Sequence, residues 1–199
     1  MDPSFFTRFG LFVDLEFLDS ETCGRLLSEA RAATSVEATV EDEGELQVDS
    51  GLRKTRIAKV DDATRTFVRE RLLSLIPALE QHFDVSLEGC EKPQFLVYRQ
   101  GDFFSPHRDD SDKAEDFASA RTISAVVFLN EPSEEPGPEG YAGGSLSFYG
   151  LLQEDPKGEG VGLPLAGRGG ALVAFPSRLV HGVSPVTQGE RFTITSWFA

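Results

Sequence analysis

Residues 191–198 read RFTITSWF, a run of β-branched and aromatic side chains that is typical of a strand. Because successive side chains of a strand point to opposite faces of the sheet, the run divides into two sets. One face would carry Arg191, Thr193, Thr195 and Trp197, and the other Phe192, Ile194, Ser196 and Phe198. The stretch therefore predicts a strand that presents a guanidinium on one face.

Four further runs of the same character precede this strand, separated by Gly, Pro and acidic clusters. They span residues 94–99, 121–129, 145–149 and 171–175. Five such strands indicate an antiparallel β-structure, which must close or double over to hide its edges. We therefore predict a jelly roll or barrel for residues 93–199.

The N-terminal part has helical character instead. Residues 19–33 begin with a capping Asp19 and continue with apolar side chains at helical spacing. Residues 61–83 repeat apolar side chains near a 3.6 period, which predicts one long second helix. Between them, residues 36–50 are predicted as a loop and residues 51–60 as a strand.

Two polar stretches, residues 110–120 and 131–144, are too long for tight turns and are predicted as loops. The acidic part of the second is either a solvated connection or a lid over a substrate. A chain of 199 residues with 40% hydrophobic content can close one sizeable core. We expect one α+β, mainly β domain over residues 1–199, in which helices within residues 1–92 brace the β-structure.

The charge balance narrows the range of partners. A formal net charge of −14 repels phosphate backbones and anionic lipid headgroups, so we expect neither a nucleic acid nor a membrane partner. The sequence has neither a secretory leader pattern nor a long apolar run. Its two cysteines, Cys23 and Cys90, are interpreted as buried thiols. We expect a cytoplasmic protein; the oligomeric state is not predicted.

Two of the three histidines lie in the β half. His107 and Asp109, in FFSPHRDD, are two residues apart, so on an extended segment both point to the same face. His181, in LVHGV, would complete two imidazoles and one carboxylate, a set that leaves three metal positions open and suits non-haem iron(II). Taken alone, His107 and Asp109 also fit an incidental hydrogen-bonded pair at a strand end.

Arg191 lies ten residues beyond His181, at the start of the last predicted strand. A guanidinium inside a barrel is costly without an anion, and a ligand carboxylate offers a bidentate partner. The alternative is an arginine at the surface or in a salt bridge.

Together these residues resemble the prolyl 4-hydroxylase-type family of 2-oxoglutarate- and Fe(II)-dependent dioxygenases. The resemblance covers nearly all of residues 94–199, in the segments YRQGDFFSPHRDD, TISAVVFLN, GGSLSFYG, GRGGALVAFPSRLVHGVSPV and RFTITSWF. It implies a double-stranded β-helix, a jelly-roll and cupin-like fold braced by N-terminal helices. It also implies roles for particular residues: His107, Asp109 and His181 as metal ligands, Arg191 as partner of the distal carboxylate of 2-oxoglutarate, and Tyr98 and Thr195 as further cosubstrate-binding residues.

The resemblance further implies Fe(II), 2-oxoglutarate and O2 as cofactor and cosubstrates, with ascorbate as a further candidate. The implied reaction hydroxylates a prolyl or similar side chain of a protein or peptide and releases succinate and CO2. A free amino acid or small metabolite is the alternative substrate, and a non-catalytic metal- or ligand-binding β-barrel is the alternative from another class. Asp109 argues against halogenation, because related halogenases have a small residue there.

The sequence departs from the family pattern at two positions. Many members have lysine where Arg191 stands. Phe128 occupies a strand position where some relatives place a cosubstrate-binding tyrosine. Neither difference affects the implied metal ligands.

Overall fold

The computed structural model describes residues 3–38, 40–42, 45–47, 51–112, 117–137, 140–151 and 160–199. Its α-helices are α1 (Pro3–Thr7), α2 (Ser20–Ala32), α3 (Asp62–Leu73) and α4 (Ile76–Phe83), with a 3-10 helix at Phe117–Ala120. Within this part of the chain, no helix is long and apolar enough to cross a bilayer.

The strands of the first half are β1 (Phe12–Asp14), β2 (Ser35–Glu37), β3 (Val40–Asp42), β4 (Glu45–Gln47), β5 (Arg53–Lys54) and β6 (Arg56–Ala58). Those of the second half are β7 (Gln94–Tyr98), β8 (Phe103–His107), β9 (Ile123–Phe128), β10 (Tyr141–Gly143), β11 (Leu146–Phe148), β12 (Leu163–Leu165), β13 (Leu172–Pro176), β14 (His181–Val183), β15 (Val186–Gly189) and β16 (Arg191–Phe198). The five β-type runs correspond to β7, β9, β11, β13 and β16.

The strands form two main antiparallel sheets. The larger has seven strands in the order β1-β13-β9-β16-β7-β6-β2, and the smaller has five in the order β12-β11-β14-β8-β5. Two short pairs, β10-β15 and β3-β4, complete the arrangement. The prediction of a mainly β jelly roll of the double-stranded β-helix type is confirmed.

Strand β16 separates two apolar cores. Phe192, Ile194 and Phe198 belong to a core that the larger sheet shares with α2, α3 and α4. Arg191, on the opposite face, lies over the rings of Tyr98 and Phe128, which belong to the core between the two sheets. The alternation predicted for residues 191–198 therefore places the guanidinium inside the β-structure.

Helix α2 forms as its sequence predicts. The Asp19 carboxylate accepts a hydrogen bond from the backbone N–H of Thr22 at 2.7 Å, which caps the first turn. The apolar positions Cys23, Leu26, Leu27 and Ala30 are buried. Cys23 and Cys90 are both buried free thiols, in agreement with the sequence interpretation.

The single helix predicted over residues 61–83 is wrong, because the chain breaks into α3 and α4 at residues 74–75. Pro77 lies in the first turn of α4. Proline has no N–H to donate and its ring clashes with the carbonyl four residues earlier, so a continuous helix would be disrupted at this point. The same residue is compatible with the start of a new helix.

The strand predicted over residues 51–60 is also divided. Arg53 and Lys54 of β5 pair with β8 in the smaller sheet, whereas residues 56–58 of β6 pair with β7 in the larger one. Between them, the buried Thr55 hydroxyl donates to the Val97 carbonyl at 3.0 Å. Residues 1–92 therefore supply strands to both sheets as well as the bracing helices.

The predicted loops are only partly loops. Residues 36–50 contribute to β2, β3 and β4, and the 3-10 helix lies in the stretch 110–120. Parts of all three stretches, including residues 48–50, 113–116 and 138–139, lie outside the described residues. The lid alternative for the acidic stretch stays a hypothesis.

Candidate functional site

The structure brings His107, Asp109 and His181 together on the smaller sheet. His107 ends β8 and pairs directly with His181, which begins β14. The ligand atoms of the three side chains all lie within 4.8 Å of one another. Each histidine Nε2 faces a different carboxylate oxygen of Asp109, at 3.4 Å from His107 and 3.3 Å from His181.

Main-chain carbonyls orient both imidazoles. His107 Nδ1 lies 2.8 Å from the Ser105 carbonyl oxygen, and His181 Nδ1 lies 2.9 Å from that of Leu179. A nitrogen beside a carbonyl oxygen must carry the proton, so each Nδ1 donates, and deprotonation of Nε2 leaves a neutral ring whose Nε2 lone pair can bind a metal. This is the tautomer that a metal bound at Nε2 requires.

Aromatic rings support the two imidazoles from outside. The Phe104 ring stacks on His107 with centroids 3.5 Å apart, and the Phe175 ring meets the His181 ring edge-on at 4.6 Å. The apolar packing restricts ring rotation and limits the access of water from these sides.

A close approach of β8 and β14 sets the separation of the two histidines. The register shifts between His181 and Val183, and a Cβ on the intervening Gly182 would lie 2.9 Å from the Phe104 carbonyl oxygen. Real Cβ atoms essentially never lie so close to another atom. Glycine therefore permits the strand spacing on which the cluster depends.

Hydrogen bonds also fix the carboxylate. The Ser124 hydroxyl lies 2.7 Å from Asp109 Oδ2 and 3.0 Å from the Ser177 hydroxyl. The backbone N–H of Asp109 donates to the Ser177 carbonyl at 2.9 Å. Both serines are buried, so the carboxylate has one defined orientation.

Arg121 links the backbone of Asp109 to the neighbouring sheet. Its Nη1 donates to the Asp109 carbonyl at 3.2 Å, and its Nε donates to Glu91 at 2.5 Å. Its guanidinium also lies over the Trp197 ring, 4.0 Å from the centroid. The backbone beside the site is thereby tied to β16.

The charges of the three groups are coupled. Burial raises the pKa of Asp109, but the positive charge of His181 and the hydrogen bonds from both histidines outweigh it and hold that pKa well below its ordinary value. Burial lowers the pKa of His107, and the charge of His181 lowers it further. Burial alone would lower the pKa of His181, but the Asp109 carboxylate outweighs it and raises that pKa.

Two imidazole nitrogens and one ionised carboxylate are a suitable donor set for a divalent transition metal. The described residues offer no fourth His, Cys, Asp or Glu to the cluster. Such a set occupies one face of an octahedral ion and leaves three positions open, which suits Fe(II) rather than a closed structural zinc site. The third histidine, His82, lies instead against the rings of Phe12 and Phe83.

A buried arginine lies between the two sheets. Arg191 is 1% exposed, and its guanidinium carbon is 5.0 Å from the Tyr98 ring centroid and 5.5 Å from that of Phe128. Its Nη1 makes one long hydrogen bond, 3.4 Å, to the Thr193 hydroxyl. Among the described residues, its Nε and Nη2 have no hydrogen-bond partner.

The same face of β16 presents two further polar atoms. The Thr195 hydroxyl and the Trp197 indole Nε1 are buried and lack hydrogen-bond partners within the part of the chain that the structure describes. Tyr98 pairs directly with Arg191 across β7 and β16. The residues that the sequence proposed for cosubstrate binding thus line one wall, with unsatisfied donors that a buried anion would satisfy.

Asn130 fixes the start of this wall. Its side-chain Nδ2 donates to the Glu190 carbonyl at 2.8 Å, and its Oδ1 accepts from the backbone N–H of Phe192 at 2.9 Å. The two bonds bracket Arg191 in the chain. These hydrogen bonds therefore fix the backbone from which the Arg191 side chain extends between the sheets.

Sequence reasoning missed several residues around the cluster, among them Ser124, Arg121 and Arg53. The half-buried Arg53 guanidinium lies 4.7 Å from the centroid of the Phe104 ring, the ring that stacks on His107. Burial lowers its pKa. These residues carry no local motif, because their contacts with the cluster join segments that are separate in the sequence.

Known proteins resemble this chain in sequence and fold. The family model described as "2OG-Fe(II) oxygenase superfamily" matches residues 93–199. A PKHD-type hydroxylase of Hyphomonas neptunium is 30% identical over 155 residues, which are 73% of this chain and 60% of that protein. The chain thus spans less than two thirds of the length of that curated relative.

Two solved structures have the same fold. A Pseudomonas putida prolyl-4-hydroxylase superposes with a TM-score of 0.69 at 26% identity, covering 95% of this chain and 91% of that one. A prolyl hydroxylase from Trichoplax adhaerens, in complex with a hypoxia inducible factor peptide fragment, gives 0.68 at 20% identity and covers 98% and 86% of the two chains. The second likeness bears on the fold alone.

Proposed function

The chain belongs to the 2OG-Fe(II) oxygenase superfamily, and we propose that it is a 2-oxoglutarate-dependent Fe(II) dioxygenase that hydroxylates a side chain of a protein or peptide. Residues 1–199 would act as one domain, since the helices and the larger sheet share one core. A prolyl side chain is the leading candidate for the substrate.

We assign the Fe(II) ligands to His107, Asp109 and His181. The assignment is supported by the mutual distances of their ligand atoms and by Nδ1 hydrogen bonds that leave Nε2 available. Ionised carboxylates and neutral imidazoles are the forms that bind metals. Open coordination positions are needed because a cosubstrate and O2 must both reach the ion.

The observation that carries the proposal is Arg191. A metal site that only binds an ion has no use for a fully buried guanidinium, two of whose nitrogens have no hydrogen-bond partner among the described residues. A dicarboxylate that chelates Fe(II) at one end needs such a partner for the carboxylate at its other end. Tyr98 and Thr195 would line the cavity between the two ends.

When bound, Fe(II) supplies the oxidation chemistry, in which 2-oxoglutarate leaves as succinate and CO2 and the substrate gains a hydroxyl group. The chain's own residues contribute geometry. Arg191 orients the cosubstrate from its distal end, and Ser124 holds the plane of the Asp109 carboxylate. Phe104 and Phe175 keep water from the sides of the imidazoles.

The substrate class rests on likeness to other proteins. The Pseudomonas putida enzyme is named a prolyl-4-hydroxylase, and the Hyphomonas neptunium relative a PKHD-type hydroxylase. The Trichoplax adhaerens enzyme was solved with a peptide. A free amino acid or small metabolite is the alternative substrate. We also propose ascorbate as a candidate reductant for the dioxygenase.

Succinate formation tests the activity without a known substrate, since uncoupled turnover produces it slowly. Protein purified without oxygen, loaded with Fe(II) and then given 2-oxoglutarate and O2, with and without ascorbate, should form succinate. His107→Ala should abolish formation, whereas His82→Ala, a histidine change outside the cluster, should leave it unchanged. Arg191→Ala should raise the required 2-oxoglutarate concentration roughly 30-fold or more, because it removes the buried partner of a carboxylate.

Calorimetry on the same preparations separates the outcomes. Wild type that binds Fe(II) and 2-oxoglutarate but forms no succinate would indicate that turnover requires the substrate. Peptide libraries and small metabolites would then both be screened as candidate substrates. Wild type that binds Fe(II) but no 2-oxoglutarate would refute the proposal and favour the non-catalytic metal-binding β-barrel. Wild type that binds neither would also refute it.

A further inference from the structure

We propose that Tyr141 is a cosubstrate-anchoring residue, whose hydroxyl donates a hydrogen bond to the distal carboxylate of 2-oxoglutarate beside the Arg191 guanidinium. The inference rests on the proposed function and adds to it a residue from a strand outside the two main sheets. Tyr141 begins β10, which pairs only with β15 among the described strands. It is 1% exposed.

The Tyr141 ring lies beside the stem of Arg191. A Cβ on Gly144 would lie 3.0 Å from Arg191 Cδ and 3.4 Å from Tyr141 Cε2. Two atoms so close to one point belong to side chains that pack side by side. Gly144 has φ +60°, a conformation that side chains rarely adopt, so its backbone makes room for both.

The Tyr141 hydroxyl lies beside the ring of Phe128. A Cβ on Gly167 would lie 3.1 Å from the Tyr141 hydroxyl oxygen and 2.5 Å from Phe128 Cδ1. The Phe128 ring also faces the guanidinium, whose carbon is 5.5 Å from its centroid. The hydroxyl, the Phe128 ring and the guanidinium therefore share one part of the cavity.

This placement gives the neighbourhood of Arg191 a hydroxyl that Phe128 does not supply. Tyr141 reaches the Phe128 ring from β10 and brings its hydroxyl beside that ring. The distal carboxylate would then have donors from Arg191 and Tyr141, and a carboxylate accepts several.

The protonation state suits this role. Burial raises the pKa of Tyr141, and the nearby Arg191 guanidinium opposes the rise without cancelling it. The phenol therefore stays protonated at neutral pH and can donate. A hydrogen bond to a charged partner contributes more to binding than one between neutral groups.

The experiment compares two 2-oxo acids by anaerobic calorimetry on Fe(II)-loaded full-length protein. One is 2-oxoglutarate, and the other is 2-oxobutyrate, which keeps the chelating end but has no distal carboxylate. Tyr141→Phe should weaken 2-oxoglutarate binding roughly 10- to 100-fold, the loss expected for one hydrogen bond to a charged group. It should leave 2-oxobutyrate binding and Fe(II) binding unchanged.

Two further variants sharpen the test. Tyr149→Phe removes a hydroxyl from a half-buried tyrosine whose ring lies beside Gly162 and Ser147, and should change neither affinity. Phe128→Tyr, added to Tyr141→Phe, returns a hydroxyl to the same neighbourhood and should restore part of the lost affinity. Thermal unfolding of each variant identifies any loss of folded protein.

The outcomes are distinct. Equal 2-oxoglutarate affinity in wild type and Tyr141→Phe would overturn the inference but leave the proposed function intact. An equal loss for both ligands would overturn it too, because it would reveal a purely structural role. Wild type that binds no 2-oxoglutarate would overturn the inference together with the proposed function.

Discussion

Replacing Gly182 with alanine should damage the proposed metal site without changing any of its proposed ligands. The added Cβ would lie 2.9 Å from the Phe104 carbonyl oxygen and 3.1 Å from the Pro106 backbone nitrogen. Both are main-chain atoms of β8, so no side-chain rotation relieves the contact. Ordinary contact begins at 3.4 Å, so β14 and β8 must separate by about half an ångström.

The separation falls where the site is most sensitive. Gly182 follows His181 directly, and His181 pairs with His107 across these two strands. Overpacking of this kind costs about 1–3 kcal/mol of stability. Disturbing the groups that orient metal ligands weakens binding roughly 10- to 100-fold, and we expect Fe(II) affinity to fall within that range.

Gly24→Ala is the matched control. Gly24 lies inside α2, is exposed, and a Cβ there would meet nothing within 4 Å. Alanine should stabilise the helix by about 0.5–1 kcal/mol and leave Fe(II) binding unchanged. Urea unfolding of the metal-free proteins gives the stabilities, and anaerobic Fe(II) titration gives the affinities. Wild-type stability and affinity in Gly182→Ala would refute the reasoning, since the strands would then have absorbed the methyl group.

Two further substitutions test the groups around the ligands and the anchor. Ser124→Ala should weaken Fe(II) binding roughly 10- to 100-fold in an anaerobic titration, because its hydroxyl lies 2.7 Å from Asp109 Oδ2. Ser124→Thr keeps the hydroxyl and should lose less Fe(II) affinity. An equal loss of affinity in the two variants would contradict this role of the hydroxyl. Asn130→Ala should weaken 2-oxoglutarate binding more than Fe(II) binding in calorimetry, because the Asn130 side-chain amide forms hydrogen bonds with both neighbours of Arg191 in the chain. A larger loss of Fe(II) affinity would contradict this prediction.

The parts of the fold that follow a simple period could be predicted from the sequence. Strand β16 alternates with period two, and its two faces lie in different cores as expected. Helix α2 combines a capping Asp19 with a regular apolar stripe. Strands of three residues, such as β10 and β12, are too short to show a period and were not predicted as strands.

The break between α3 and α4 could have been predicted as well. Pro77 stands within the periodic stretch, and proline inside a helix removes a hydrogen bond and creates a clash. The apolar period continues across the break because both helices pack on the same core. The apolar period alone therefore does not reveal the boundary between α3 and α4, whereas Pro77 marks it.

The residues of the candidate site also divide into those that the sequence predicts and those that it does not. His107 and Asp109 stand two residues apart, and scarcity makes a third ligand from His181 easy to propose. Tyr141 lies within a stretch that reads as an acidic loop, yet it is buried beside Arg191. Its position depends on the pairing of β10 with β15, a contact between distant segments that local pattern does not encode.

The two faces of β16 couple the helices to the cosubstrate wall. Phe192, Ile194 and Phe198 pack into the core shared with the helices, while Arg191 and Thr195 take the alternate positions on the opposite face. A strand cannot shift toward or away from the helices without moving both faces. The helical layer therefore does more than cover apolar surface, because its packing sets the depth at which the Arg191 guanidinium stands between the sheets. This dependence explains how the buried guanidinium is held over the rings of Tyr98 and Phe128.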